Sequence, residues 1–269
     1  MATWQTLDWY DAPKYYDAVF DEGTAHEADF LEAALERFGR VEPTRGRRVR
    51  RVLEPACGSG RLVVEMARRD WRVHGFDLSQ PMLDHARGEL VAAGVPTRRA
   101  HLWAAAMQDF ESSERFELAH CLVSTFKYLL TEADARRHLE LVAEHLVPGG
   151  IYVLGFHLTD YDDTKKSRER WVAARDDFEV TCTIQGWPAE RRTRTEQVRS
   201  RLVVEEGGTT RRLETVWDFR TYDAAQVKRL LRSVPALELV ATYDMTFDLD
   251  DPRKLDDEQL DLVLVLRRR

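Results

Sequence analysis

The feature that most constrains the fold is the stretch RVLEPACGSGRLVVEMARRDWRVHGFDLS at residues 51–79. A short apolar run leads into a glycine pair, Gly58 and Gly60, and a second apolar run ends at Asp77. Glycines let a strand turn sharply into a helix and let a ligand approach the backbone, while the helix N-terminus offers N–H groups to an anion. An acidic side chain at the end of the next strand can accept hydrogen bonds from both ribose hydroxyls. The stretch therefore predicts a nucleoside-binding site.

Apolar strands alternate with amphipathic helices between residues 45 and 157. The predicted strands are 51–54, 71–76, 116–123 and 151–156, and the predicted helices are 24–39, 61–67, 79–94 and 131–146. This alternation is typical of a doubly wound α/β fold, with a mostly parallel Rossmann-like sheet covered by helices on both faces.

Capping patterns predict where several helices begin and end. Thr24 and Glu27 have the spacing of a capping box, and Ser79 is expected to be an N-cap. Gly39 is expected to end the first helix, and 148–150 (Pro-Gly-Gly) to end the helix at 131–146.

The pattern changes after His157. Three segments alternate like antiparallel strands, with a hairpin turn at Gly207–Gly208, before one more helix and two closing strands. The segments are 178–185, 196–206 and 210–222. We therefore expect an N-terminal arm and helix at 1–44, a main domain at 45–157 and 223–269, and an antiparallel β insertion at 158–222.

Composition limits the possible functions. A net charge of −7 over 269 residues argues against a dedicated nucleic-acid binder, although arginines cluster at 45–51 and 190–201. We interpret the cluster at 190–201 and the acidic segment 248–261 as solvated surfaces. No apolar run is long enough for a membrane helix, and three unpaired cysteines favour a reduced, cytoplasmic protein. No His, Cys or carboxylate cluster has metal-ligand spacing, so no metal is expected.

The glycine loop separates two nucleotide cofactors. An NAD fingerprint would place a third glycine where Val63 stands. Instead, EPACGSGR resembles motif I of class I S-adenosylmethionine-dependent methyltransferases, with Ala56 in the first glycine place. Three later stretches resemble the following motifs of that family in the same order: GFDLSQPMLDHAR, FELAHCLVSTFKYL and HLVPGGIYVL.

The resemblance implies S-adenosylmethionine as cofactor, with S-adenosylhomocysteine as product. It implies these cofactor-binding positions: Glu54, Ala56, Gly58 and Gly60 around the methionine moiety, Asp77 at the ribose, Leu78, Met82, Met107 and Gln108 around adenine, and Cys121 on the floor. Ala106 departs from the family, in which an Asp commonly accepts from the adenine amino group.

Two residues after the predicted strands could face the methyl acceptor. Tyr128 lies in a stretch that resembles the acceptor-facing segment of small-molecule N-methyltransferases, and His157 could act as a base at the end of its strand. The alternatives are that Tyr128 is a core tyrosine and that His157 is a surface histidine.

The N-terminal arm holds Tyr10, Tyr15 and Tyr16, and we interpret it as a lid. In this interpretation Tyr10 and Tyr15 contact the cofactor and Tyr16 contacts the reacting groups. A statically packed arm is the alternative.

Acceptor class is judged by motifs that the chain lacks. The amine-methylating signature of nucleic-acid enzymes, a Pro-Cys pair and a paired-glutamate loop are all missing. A small-molecule acceptor methylated at nitrogen or oxygen is therefore favoured, by a monomer or homodimer. An RNA or protein methyltransferase and a catalytically silent cofactor binder remain as alternatives.

Overall fold

The computed structural model describes residues 4–20, 22–41 and 49–269. Most of the arginine cluster at 45–51 therefore lies outside the described residues. The helices are α1 (Pro13–Phe20), α2 (Thr24–Phe38), α3 (Arg61–Arg68), α4 (Gln80–Ala92), α5 (Glu132–His145) and α6 (Ala224–Arg232). The strands are β1 (Gln5–Thr6), β2 (Arg51–Pro55), β3 (Arg72–Asp77), β4 (Ala100–Ala104), β5 (Phe116–Cys121), β6 (Leu146–His157), β7 (Ser167–Ala174), β8 (Phe178–Gly186), β9 (Thr195–Glu206), β10 (Thr209–Arg220), β11 (Leu237–Tyr243) and β12 (Asp261–Arg268).

A seven-stranded sheet forms the centre, in the order β11-β12-β6-β5-β2-β3-β4. The five strands from β6 to β4 are parallel, and β12 runs antiparallel between β6 and β11. One apolar core lies on the face covered by α2, α3 and α4, and a second on the face covered by α5 and α6. The predicted doubly wound fold is confirmed.

A second, five-stranded sheet has the order β1-β10-β9-β8-β7. The strands from β7 to β10 are antiparallel neighbours, and β9 and β10 meet in a hairpin at Gly207 and Gly208, both with positive φ. Strand β1, from the N-terminal arm, pairs parallel with β10 at the edge. Strands β1, β4 and β7 and helix α1 were not predicted.

The arm is built into this second sheet. Trp9 and Tyr15 are 5% and 2% exposed and pack with Phe178, Leu202 and other buried residues of the inner sheet face. The arm therefore helps to form a third apolar core, together with the second sheet.

Two of the predicted helix boundaries are wrong. Helix α2 has Gly23 as its N-cap, at φ 87°, and Glu27 is bound by Arg61 rather than by the helix end. Helix α5 ends at His145, before the Pro-Gly-Gly stretch, which lies within β6. Gly149 is needed there because a Cβ would lie 2.2 Å from the carbonyl oxygen of Arg40, whose N–H donates to Gly149. The Ser79 cap is confirmed by its bond to the N–H of Met82.

The surface expectation for 190–201 is only partly right. Arg194 bonds Glu132 at 2.6 Å and lies over the Tyr222 ring, and Arg201 bonds Glu214. These arginines fasten the second sheet together and to the main domain. Among the described residues, no helix is long and apolar enough to cross a membrane.

Candidate active site

A groove of ≈ 450 Å³ opens outside the carboxyl ends of β2, β5 and β6. The chain order of the parallel strands reverses between β2 and β5, which is where α/β sheets bind ligands. The residues that line the groove are Tyr16, Val19, Phe20, Glu22, Glu27, Glu54, Pro55, Ala56, Cys57, Gly58, Ser59, Arg61, Leu62, Cys121, Leu122, Val123, Thr125, Gly155, Trp171, Met245 and Phe247. The groove brings together four of the predicted cofactor-binding residues, Glu54, Ala56, Gly58 and Cys121, with Tyr16.

The glycine loop needs left-handed backbone at three positions. Ala56, Gly58 and Gly60 have φ of 53°, 53° and 85°. A Cβ on Gly58 would meet nothing within 4 Å, whereas a Cβ on Gly60 would lie 2.6 Å from the Cβ of Ala86. Gly58 therefore leaves room for a ligand, and Gly60 lets α3 approach α4.

Asp77 holds this loop in place. Its Oδ2 accepts from the N–H of Gly58 at 2.9 Å, and its Oδ1 accepts from the N–H of Ser79 at 2.8 Å. Burial raises the pKa of Asp77, and these backbone N–H groups oppose the shift. Each carboxylate oxygen still has a lone pair for a ribose hydroxyl.

The predicted adenine contacts divide into two groups. Leu78 is 77% exposed beside the loop, and Gln108 is half-buried. The side chains of Met82 and Met107 are 0% and 8% exposed and belong to the interior. Leu78 and Gln108 are therefore the two side chains of this set that a planar base could reach.

Glu54 is the second-last residue of β2 and is almost completely buried, although it lines the groove. Its Oε2 has no hydrogen-bond partner. Burial raises the pKa of Glu54 to about 8. Cys121, also predicted, is a buried thiol on the same wall, and burial raises its pKa to about 12.

Helix α1 covers the groove. The Oγ of Ser79 donates to the carbonyl oxygen of Tyr10 at 3.1 Å, and the Tyr10 and Tyr128 hydroxyls lie 2.7 Å apart. Burial raises the pKa of both phenols, and that of Tyr16 to about 12. All three phenols therefore keep their protons near neutral pH and can act as hydrogen-bond donors.

Tyr15 lies elsewhere. Its ring packs edge-on against Phe178, and its hydroxyl donates to Glu206 at 2.7 Å on the far side of the arm. Neighbouring residues of a helix point in different directions, so α1 turns Tyr16 to the groove and Tyr15 to the second sheet. The structure does not bring Tyr15 to the groove.

The backbone after β5 is strained. Val123 and Ser124 both have positive φ, at 60° and 66°, which is unusual for a β-branched residue and costs about 1–3 kcal/mol. Ser124 is tied to β6, because its N–H donates to Gly155 and its Oγ accepts from the N–H of His157. These bonds leave Val123 47% exposed on the groove wall.

His157 does not line the groove. Its side chain is half-exposed, and its Nδ1 lies 2.7 Å from Oδ1 of Asp261 on the neighbouring strand β12. The predicted base is thus in hydrogen-bond contact with Asp261 at the surface, beside the groove.

Several wall residues were not singled out from the sequence. Val19 and Phe20 come from α1, Trp171 from β7, and Met245 and Phe247 from the loop after β11. Each is an ordinary apolar residue in its local pattern, so no sequence signal marks it. Within the described ranges, no three His, Cys, Asp or Glu side chains lie together as metal ligands would.

Comparison with known proteins agrees with this geometry. Residues 52–150 match the family model described as a methyltransferase domain. A dTDP-4-amino-2,3,4,6-tetradeoxy-D-glucose N,N-dimethyltransferase of Saccharopolyspora spinosa is 30% identical over 146 residues, covering 54% of this chain and 53% of that protein. The chain thus spans about half the length of the curated relatives it matches.

Solved structures match along nearly the whole chain. DesVI of Streptomyces venezuelae superposes with a TM-score of 0.73 at 19% identity, covering 97% of this chain and 99% of that one. CalS10, described as an amino pentose methyltransferase from Micromonospora echinaspora, has a TM-score of 0.70 at 19% identity, with 100% of both chains covered. At these identities the likeness establishes the fold. Residues 52–150 are therefore similar to a methyltransferase domain, and the chain as a whole has the fold of these solved methyltransferases.

Proposed function

We propose that this protein transfers a methyl group from S-adenosylmethionine to a nitrogen or oxygen of a small-molecule acceptor. The observation that carries the proposal is the groove itself, in which the glycine loop and Glu54 form one wall and the strained backbone at Val123 another. When bound, the cofactor supplies an electrophilic methyl group for in-line displacement. The relatives named as N,N-dimethyltransferases of dTDP-amino sugars favour an amine as acceptor.

The cofactor would be held mainly by the first wall. The N–H groups of the loop and the Glu54 carboxyl group suit the amino-acid end, and Asp77 suits the ribose. Leu78 and Gln108 would flank the base. The residues present therefore fit the cofactor that the family uses.

The other walls would position the acceptor and exclude water. Tyr16, Phe20 and Trp171 surround the groove with aromatic faces, which suit an amine. The acceptor must present a lone pair, and the phenols of Tyr16 and Tyr128 keep their protons, so neither takes a proton from it near neutral pH. We propose that catalysis depends on alignment and desolvation.

The test is incubation with S-adenosylmethionine carrying a labelled methyl group and a panel of amino sugars, both free and nucleotide-linked. We expect label in an organic product together with S-adenosylhomocysteine. Transfer only to RNA or protein would replace the small-molecule assignment. Cofactor binding without turnover on any acceptor class would support a silent binder.

A further inference from the structure

Two buried polar atoms face each other behind the groove wall. Oε2 of Glu54 and Nε2 of His120 lie 3.8 Å apart, and neither has a hydrogen-bond partner. The Glu54 side chain is 10% exposed and the His120 side chain 1% exposed. Leaving a buried polar group unpaired costs about 1–3 kcal/mol, so this arrangement requires a proton or a ligand to satisfy it.

The charges around the pair do not supply that partner. The Arg61 guanidinium is bound by Glu27 at 2.7 Å and by the Oγ1 of Thr24, and Asp77 is a second carboxylate nearby. Burial is the main cause that raises the pKa of Glu54 to about 8; Arg61 opposes the shift, while Glu27 and Asp77 add to it.

The remaining titratable neighbours are neutral. Cys57 and Cys121 are buried thiols whose pKa values are raised, and Tyr16 is a buried phenol. Burial lowers the pKa of His120 to about 3, and Arg61 adds to the shift. Near neutral pH the Glu54 carboxyl group is therefore protonated and the His120 imidazole is neutral, so the carboxyl O–H can donate to Nε2 once the two atoms close from 3.8 Å to hydrogen-bond distance.

We propose that His120 is a positioning residue that holds protonated Glu54 before the cofactor binds, and that Glu54 gives up this proton when an ammonium group binds. The inference rests on the proposed function, since the ammonium belongs to the methionine moiety of the cofactor. In the exchange, the O–H bond of Glu54 breaks and its electron pair stays on the carboxylate. The proton leaves to solvent, and the carboxylate pairs with the incoming ammonium. Nothing is oxidised or reduced.

The exchange makes affinity depend on pH in one direction. Because binding releases a proton, affinity should rise as pH rises, up to about tenfold per pH unit below pH 8, and should then level off. A ligand with the same nucleoside but no amino-acid part should lack this dependence.

The experiment is calorimetric titration at pH 7 in buffers with different ionisation enthalpies. The probes are S-adenosylhomocysteine, which carries the ammonium, and 5′-methylthioadenosine, which does not. We expect release of about one proton with the first ligand and none with the second. Glu54→Gln should abolish proton release and should lower the affinity for S-adenosylhomocysteine only. Normal binding of 5′-methylthioadenosine by this variant shows that it is folded.

The role of His120 is read from the pH profile of S-adenosylhomocysteine affinity. His120→Leu removes the acceptor for the Glu54 proton, so the midpoint of this pH profile should move to lower pH. His120→Gln retains an acceptor oxygen, so its midpoint should lie between those of His120→Leu and the parent protein. Binding of S-adenosylhomocysteine without proton release, or equal release with 5′-methylthioadenosine, would overturn the inference. An unchanged profile in His120→Leu would overturn the role of His120. Failure of both ligands to bind would instead overturn the proposed function, and this inference with it.

Discussion

The two ends of the groove are built in different ways. The end of the groove proposed for the cofactor comes from one continuous stretch, residues 51–79, and consists largely of backbone held by Asp77. The end proposed for the acceptor comes from α1, β7, the turn after β5 and the loop after β11, and consists of side chains. Backbone geometry tolerates few substitutions, whereas side-chain walls can be exchanged without loss of the fold. We therefore expect substitutions at the first end to change folding stability and cofactor affinity. Substitutions at the second end should change the binding of the acceptor.

The largest effect should come from Gly60→Ala. The new Cβ would lie 2.6 Å from the Cβ of Ala86 at a φ of 85°, and overpacking together with left-handed strain costs about 3 kcal/mol in the free energy of unfolding. Urea unfolding measures this loss. Gly88→Ala on α4, where a Cβ meets nothing within 4 Å, should instead stabilise by about 0.5–1 kcal/mol. Equal stability of the two variants would contradict the packing argument.

Asp77→Ala should lower the affinity for S-adenosylhomocysteine by about 10- to 100-fold. The loop loses the two hydrogen bonds that its backbone donates to Asp77, and the ribose loses its charged acceptor. Isothermal calorimetry gives the dissociation constant. The matched control is Asp84→Ala, which removes a carboxylate that pairs with Gln80 and Arg87 on exposed α4. If both variants bind like the parent protein, the ribose assignment is wrong.

Trp171→Ala should raise the acceptor KM by about tenfold while the dissociation constant of S-adenosylhomocysteine stays the same, since Trp171 lies in the wall proposed for the acceptor. Steady-state kinetics with the acceptor found in the labelling screen provides the readout. Val172, the next residue on β7, is 55% exposed, and Val172→Ala should leave both constants unchanged. A loss of cofactor affinity in Trp171→Ala would remove the distinction between the two ends.

The smallest expected effect is the pH dependence of the contact that joins α1 of the arm to α4. His85 on α4 and Asp17 on α1 lie 2.7 Å apart, and this hydrogen bond raises the pKa of His85 above 6.5. The charged form of this bond therefore stabilises the position of α1 fully below pH 6.5, and that added stability is lost as the pH rises through the raised pKa. Over this pH range, the hydrogen-exchange rate of amides 14–20 should increase by more than the intrinsic pH dependence of exchange accounts for. Asp17→Asn should remove this additional increase. If the additional increase is the same in Asp17→Asn, the His85–Asp17 pair is not its cause.

The lid hypothesis also depends on the arm. Adding S-adenosylhomocysteine should increase protection of amides 8–20, since the carbonyl oxygen of Tyr10 is bonded to Ser79 beside the glycine loop and Tyr16 lines the groove. Equal protection with and without ligand would support the static alternative.

The sheet, the glycine loop and the place of Asp77 could be predicted because they depend on local pattern. Strand and helix periodicities repeat over a few residues, and a left-handed conformation favours glycine whatever surrounds it. Gly23 and Gly149 show the limit of such reasoning, because the capping residue of α2 and the role of the Pro-Gly-Gly stretch depend on Arg61 and Arg40 respectively.

The acceptor wall, the position of Tyr15 and the pairing of Glu54 with His120 could not be predicted in this way. Trp9 is fixed by a bond from its N–H to Thr215, 206 positions away, and Glu54 and His120 meet only because β2 and β5 are neighbours in the sheet. Contacts between distant segments follow from how whole elements pack, and the side chains involved have no distinctive local pattern. Local sequence therefore identifies the cofactor loop, while the enclosure around the acceptor exists only in the folded chain.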